Sequence, residues 1–171
     1  MTYYGPKDLA ASFRQVRGNT IQIAEDVPEQ QYGFRPAPDC RGIGQTLVHI
    51  AFIPAVQFHI HSNRIDDLKH VDFLALIQPL AAEEAATRTK TEILALLRSK
   101  GDDFASYLEG LTDAFLAEQV RMPAGAQPAS KSRFEMLLGV KEHEMHHRAQ
   151  LMLVERLLGI VPHLTRARQQ R

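Results

Sequence analysis

The chain has 171 residues, 44% hydrophobic and 23% charged, with 20 acidic and 20 basic side chains that cancel. This ordinary globular composition excludes wholesale disorder, and the balanced charge removes the basic excess that marks a nucleic-acid binder. One domain over residues 1–171 is expected, long enough to bury a sizeable core. The lone Cys40 excludes an intrachain disulfide and fits a reducing, cytoplasmic setting. Set in a Pro-rich loop without a local base, it reads as a bystander. Residues 1–6 carry no apolar leader, and no apolar run approaches the roughly 18 residues of a membrane span, so no membrane partner is expected.

In chain order, a first helix is predicted over 6–26. Pro6 suits its first turn, Phe13, Val16, Thr20 and Ile23 recur at helical spacing, and Pro28 stops it. Residues 28–43 form a loop broken by Pro36, Pro38 and Gly42. A second helix spans 44–61, with Pro54 bending it between Ile50 and Pro54. Residues 62–88 carry little pattern beyond a short helix from Val71 that ends near Pro79. Thr89 and Glu92 have capping-box spacing and open a third helix that runs to Leu111, with Gly101 inside it. A long connection over 112–130 follows. Ser130 then caps a last helix that ends at Leu158, with Gly159 as the terminating residue. The basic tail 166–171 is expected to fray. Four long amphipathic helices and no strand predict an all-α, up-down four-helix bundle with long connections.

The chemistry concentrates in Glu142-His143-Glu144-Met145-His146-His147-Arg148-Ala149-Gln150. His143 and His147 lie four apart, about 40° from each other on a helical wheel. Met136, Val140, Leu151, Val154 and Leu158 share that face, while Glu144 and His146 fall on opposite flanks. Two imidazoles on a core-facing stripe are costly unless bonded or ligating, and a divalent ion resolves both burial and charge. A pair needs a third ligand from another helix. His49, among Leu47, Val48, Ile50 and Ala51, is the strongest candidate, although a core histidine bonded to a backbone carbonyl would give the same pattern. His59, His61, His70 and His163 are expected at the surface.

His143 to His147 also spells His-Glu-x-x-His, the zincin protease signature with Glu144 as base. That reading fails on supporting features. Glu155, the last acidic residue, lies on the same helix, the metzincin extension would need a histidine where Leu153 stands, and no strand-rich lobe is present to hold a peptide.

Two stretches together resemble the DinB superfamily of metal-binding four-helix bundles. One is Tyr32-Gly33-Phe34-Arg35-Pro36 followed by Ile43-Gly44-Gln45-Thr46-Leu47-Val48-His49. The other is His143-Glu144-Met145-His146-His147-Arg148-Ala149-Gln150, similar to the family's His-x-x-x-His-Arg-Gly-Gln pattern with Ala149 in place of glycine. The resemblance implies a three-histidine site of His49, His143 and His147 holding zinc or nickel, and a homodimer. It also implies thiol-dependent transfer or isomerisation with mycothiol, bacillithiol or glutathione. The leading expectation is therefore a metal-dependent thiol S-transferase acting on a small electrophile, with Arg35, Arg41 or Arg148 holding a thiol carboxylate. A hydrolase using Glu144 as base is the second expectation. A non-catalytic metal-binding module is the third, its coordination sphere closed by Glu144 or an acid of the third helix.

Overall fold

The structure, a computed structural model, describes residues 4–169. Residues 1–3 and 170–171, parts of the segment read for a leader and of the basic tail, lie outside the described residues. The frame consists of α1 (Pro6–Asp26), α2 (Ile43–Phe52) with α3 (Pro54–Ser62), α5 (Lys90–Glu109) and α7 (Arg133–Leu157). Added to it are α4 (Phe73–Ala85), α6 (Asp113–Ala117) and α8 (His163–Gln169).

Each principal helix starts where the side chains favour it. Pro6 lies in the first turn of α1, and the Thr89/Glu92 capping box opens α5. Pro54 splits the predicted second helix into α2 and α3 at Ile53, within the stretch expected to bend. Ile43–Ser62 has a mean hydropathy of 1.3, enough by length and composition for a membrane span and more apolar than its interrupting histidines suggest. Here it is bent and packs against α4, α5 and α7 as the central strut of the bundle.

Three expectations are corrected. The last helix is capped by Ser132, not Ser130, because 130–132 pair with Gln119–Arg121 in an antiparallel hairpin (β1, Gln119–Arg121; β2, Ser130–Ser132). Strands this short leave little alternation to read. The helix from the 70s starts at Phe73 and continues through Pro79 to Ala85. The tail is helical through Gln169, anchored by Arg166 on Asp26 Oδ2 at 2.5 Å. Gly159, at φ +77°, terminates α7 as expected.

Chain directions follow from cross-helix pairs. Arg14 meets Glu109 and Arg98 meets Glu25, so α1 and α5 are antiparallel. His49 meets His143 and His61 meets Arg133, so α2–α3 runs against α7. Phe58 lies on Tyr107 while Gly44 lies beside Ile93, which makes α5 parallel to α2–α3. Alternation thus holds within each half, and the long connection carrying α4 resets direction between them.

A buried ion pair ties the four main helices together. Arg17 of α1 donates through Nε to Glu144 Oε1 of α7 at 2.9 Å and through Nη2 to Oε2 at 2.9 Å; Thr20 donates to Oε1 at 2.7 Å. Arg17 also donates to the carbonyls of Leu97 on α5 at 2.9 Å and Ile50 on α2 at 3.0 Å. Ile50 needs that donor: its helical partner four residues on is Pro54, which has no N–H. Gly101 makes room, since a Cβ there would lie 2.9 Å from Arg17 Cγ. A second buried centre joins Arg133 to Glu118 Oε2 at 2.9 Å, to the Ile65 carbonyl at 3.1 Å and to His61 Nδ1 at 3.1 Å. His61 is therefore interior rather than solvated, and burial beside the Arg133 charge lowers its pKa to about 4.

Candidate metal centre

The structure brings together the three histidines singled out from the sequence. His49 Nε2 and His147 Nε2 lie 3.3 and 3.2 Å from His143 Nε2. Nitrogens at about 2.0–2.1 Å from a tetrahedral ion stand about 3.3 Å apart, so these separations match the edges of such a site. His49 is buried, while the other two are half-buried at the mouth of the bundle.

The ring orientations are set from outside the cluster. His49 Nδ1 lies 2.7 Å from Glu84 Oε1 of α4, and that carboxylate is held in turn by Arg41 Nε at 2.7 Å. His147 Nδ1 lies 2.8 Å from Gln150 Oε1. With both Nδ1–H groups donating, His49 and His147 present lone pairs at Nε2, and the single Nε2 of His143 cannot satisfy both. His143 Nδ1 is buried without a partner. Burial first, then the neighbouring histidines, lowers the pKa of His143 to about 4; burial also lowers that of His147. These two rings are thus held in the neutral form that binds metal.

The surroundings correct three expectations. The buried face of α7 keeps Met136, Val140, Leu151 and Val154 as expected but also takes in Arg133, Leu137, Glu144 and Glu155, so the half-buried histidines lie toward its margin rather than at its middle. Glu144 points into the core, where Arg17 and Thr20 occupy it, so it serves neither as a base nor as a fourth ligand; His146 is exposed. His163 is half-buried at the α1–α8 junction, 3.2 Å from Asn19, rather than at the surface. Glu84 was not among the sequence candidates. No residue of its helix is buried, so no core-facing stripe drew attention to it. Gln150, three residues beyond His147 on the same helix, was signalled only by its place in the motif.

Two clefts reach the cluster from opposite sides. One, of about 650 Å³, is lined by His147, Gln150, Cys40 and Arg41 together with Leu151 and Val154. The other, of about 430 Å³, is lined by His143 and largely by apolar side chains of α3 and α7. Of the three arginines left open by the sequence, Arg41 lines the first cleft, and Arg35 is engaged by the Cys40 carbonyl and Gln45.

The family profile of the DinB superfamily matches residues 12–151. The chain belongs to the DinB superfamily. The uncharacterized DinB-like protein YjoA of Bacillus subtilis (strain 168) is 22% identical over 151 residues, covering 88% of this chain and 89% of its own. Its crystal structure superposes with a TM-score of 0.60. YfiT of Bacillus subtilis, described as a probable metal-dependent hydrolase with an unusual four-helix bundle topology, superposes with a TM-score of 0.69 at 17% identity, covering 94% of this chain and 91% of its own. An uncharacterized protein of Clostridium difficile 630 gives 0.66 at 11% identity, covering 91% and 98%. These likenesses identify the DinB bundle, and the three histidines of this DinB chain form a group able to hold a divalent ion.

Proposed function

We propose that this DinB protein is a metal-dependent S-transferase that joins a low-molecular-weight thiol to a small electrophile, with His49, His143 and His147 holding one zinc or nickel ion. The observation that carries this reading is the convergence of three imidazoles, with the Nε2 atoms of His49 and His147 each a tetrahedral edge from that of His143 and protein acceptors at two of the three Nδ1 atoms. Three protein ligands leave a fourth position for an exchangeable group, the pattern of catalytic rather than structural sites. When bound, a divalent ion supplies Lewis acidity, which favours loss of a thiol proton near neutral pH.

The chain's own residues do the positioning. Glu84 fixes the His49 tautomer and Gln150 that of His147. Arg41 at the rim of the larger cleft is placed for a thiol carboxylate while its Nε stays on Glu84. Two clefts on two sides of one centre suit a reaction with two substrates. The hydrolytic description of YfiT supports a second reading, in which water replaces the thiol. The transferase is preferred because Glu144, the base assigned to hydrolysis, is held in the core. The exposed apolar residues Leu153 and Leu157 of α7 support a homodimer, to be tested by sedimentation.

The test is elemental analysis of untagged protein, followed by turnover assays with electrophiles in the presence and absence of thiol. One equivalent of zinc or nickel, lost in both His49→Ala and His143→Ala, together with turnover only when thiol is present, is the expected result. Metal-dependent turnover without thiol would replace the transferase by the hydrolase. A parent protein that takes up neither ion would sink both.

A further inference from the structure

Gly139 occupies an interior position of the 25-residue helix α7, one turn before His143. Glycine there costs about 1 kcal/mol relative to alanine. Its backbone conformation does not require glycine: among the described glycines only Gly125 and Gly159 have positive φ in the glycine-favouring region. Packing does not require it either, since a Cβ at 139 would meet no atom within 4 Å. Gly101, also inside a helix, differs because Arg17 fills the space its side chain would take. Gly18 likewise faces open space, but it is solvent-exposed, whereas Gly139 is half-buried in the wall of the smaller cleft beside His143.

The rest of that wall has a definite chemistry. Val56 and Ile60 of α3, Phe73 at the start of α4 and Met136 of α7 make it apolar. Glu135 at its edge is engaged by the Ser132 amide and hydroxyl at 2.7 Å each. Lys131 of β2 lines the cleft as its cationic group. At about 430 Å³ the space is in the range of small-molecule pockets, which pair an apolar lining with a few placed polar groups.

We infer that this cleft receives the apolar body of the electrophilic substrate, a small hydrophobic molecule with an anionic group toward Lys131, and that Gly139 keeps the space beside His143 open for it. The inference rests on the proposed transferase reading and assigns the two clefts different partners. The larger one, where Arg41 and Gln150 join the apolar wall, takes the thiol, and the smaller one takes the electrophile.

The probe is 8-anilinonaphthalene-1-sulfonate, an aromatic anion that fluoresces in apolar surroundings, titrated into folded full-length protein with zinc content measured on the same samples. Saturable binding of one equivalent is expected. Gly139→Leu should weaken it at least tenfold, while Leu153→Trp, which fills the other cleft, should leave it within twofold. Lys131→Glu, a change outside the core, should weaken the anionic dye severalfold while leaving binding of the uncharged N-phenyl-1-naphthylamine in place. Dye binding unchanged in Gly139→Leu, or lost instead in Leu153→Trp, overturns the assignment, as does a parent that binds no dye saturably. Zinc retained in a Gly139→Leu protein whose dye affinity is unchanged means that the cleft assignment fails while the metal reading survives. The expected dye pattern in a parent that takes up no zinc supports the cleft and removes the metal reading.

Discussion

His143 and Glu144 are adjacent on α7 and opposite in their bonding. Both carboxylate oxygens of Glu144 are held by Arg17 and Thr20, and the same arginine caps carbonyls of α2 and α5. His143 has one buried nitrogen with no partner and another facing two imidazoles at 3.2 and 3.3 Å. A buried polar group whose partners all come from the chain holds the fold together. One whose partners are incomplete is a place for something the chain does not supply.

Several measurements would break or sharpen this contrast. The largest effect should come from Glu144→Ala, which strands the Arg17 guanidinium in the core. It is expected to cost about 3–5 kcal/mol in urea unfolding, and a loss under 1 kcal/mol would deny the pair its structural role. Glu155 is the intermediate case, fully buried with neither oxygen bonded, its pKa pushed up to about 7 by burial and then by Asp26. A carboxyl whose folded pKa is raised contributes stability below its unfolded value of 4.5 and loses it as pH rises toward 7. Glu155→Gln should therefore match the parent at pH 4 and exceed it by about 3 kcal/mol at pH 8. Equal stability at both pH values would remove Glu155 from the comparison.

On the other side of the contrast, zinc at about a hundred times its Kd should add about 2.7 kcal/mol to parent stability. Calorimetry should find no such gain in His143→Ala. Glu84→Ala should weaken zinc binding about 10- to 100-fold, by competition with a chelating dye, while barely changing metal-free stability. Unchanged affinity would make the Glu84–His49 contact incidental. The smallest effects separate two glycines. Gly101→Ala should destabilise by about 1 kcal/mol or more through overpacking against Arg17, whereas Gly139→Ala should stabilise by about 1 kcal/mol.

Much of the frame was legible because its signals are local. Pro6 at the first turn of α1, Thr89 with Glu92, Pro54 and Gly159 each act within a few residues, and each does in the structure what its chemistry requires. The three histidines were legible as a set, two from an i, i+4 pair and one from an apolar setting. The interior charges were not. Arg17, Arg133, Glu144 and Glu155 all lie inside, yet charged residues are normally assigned to the solvent face. Counting them outward left out the charged flank of the core face of α7, so the histidines read as its middle rather than its margin. Arg17 did carry a signal, four residues after Phe13 and three before Thr20 on the core stripe. The short hairpin and Glu84 depend on contacts far along the chain, for which no local pattern exists.

Glu84 gives the site a mechanical character as well as a chemical one. The three histidines stand on α2 and α7, which are bolted together through Arg17, but the group that orients His49 rides on α4, a helix with no buried residue. Elements with few buried contacts open at a small fraction of the global unfolding free energy. Release of Glu84 is thus a local event, so His49 can turn and an ion can enter or leave while the bundle beneath stays closed. Amide exchange along α4 would then respond to metal loading before that of α5 or α7.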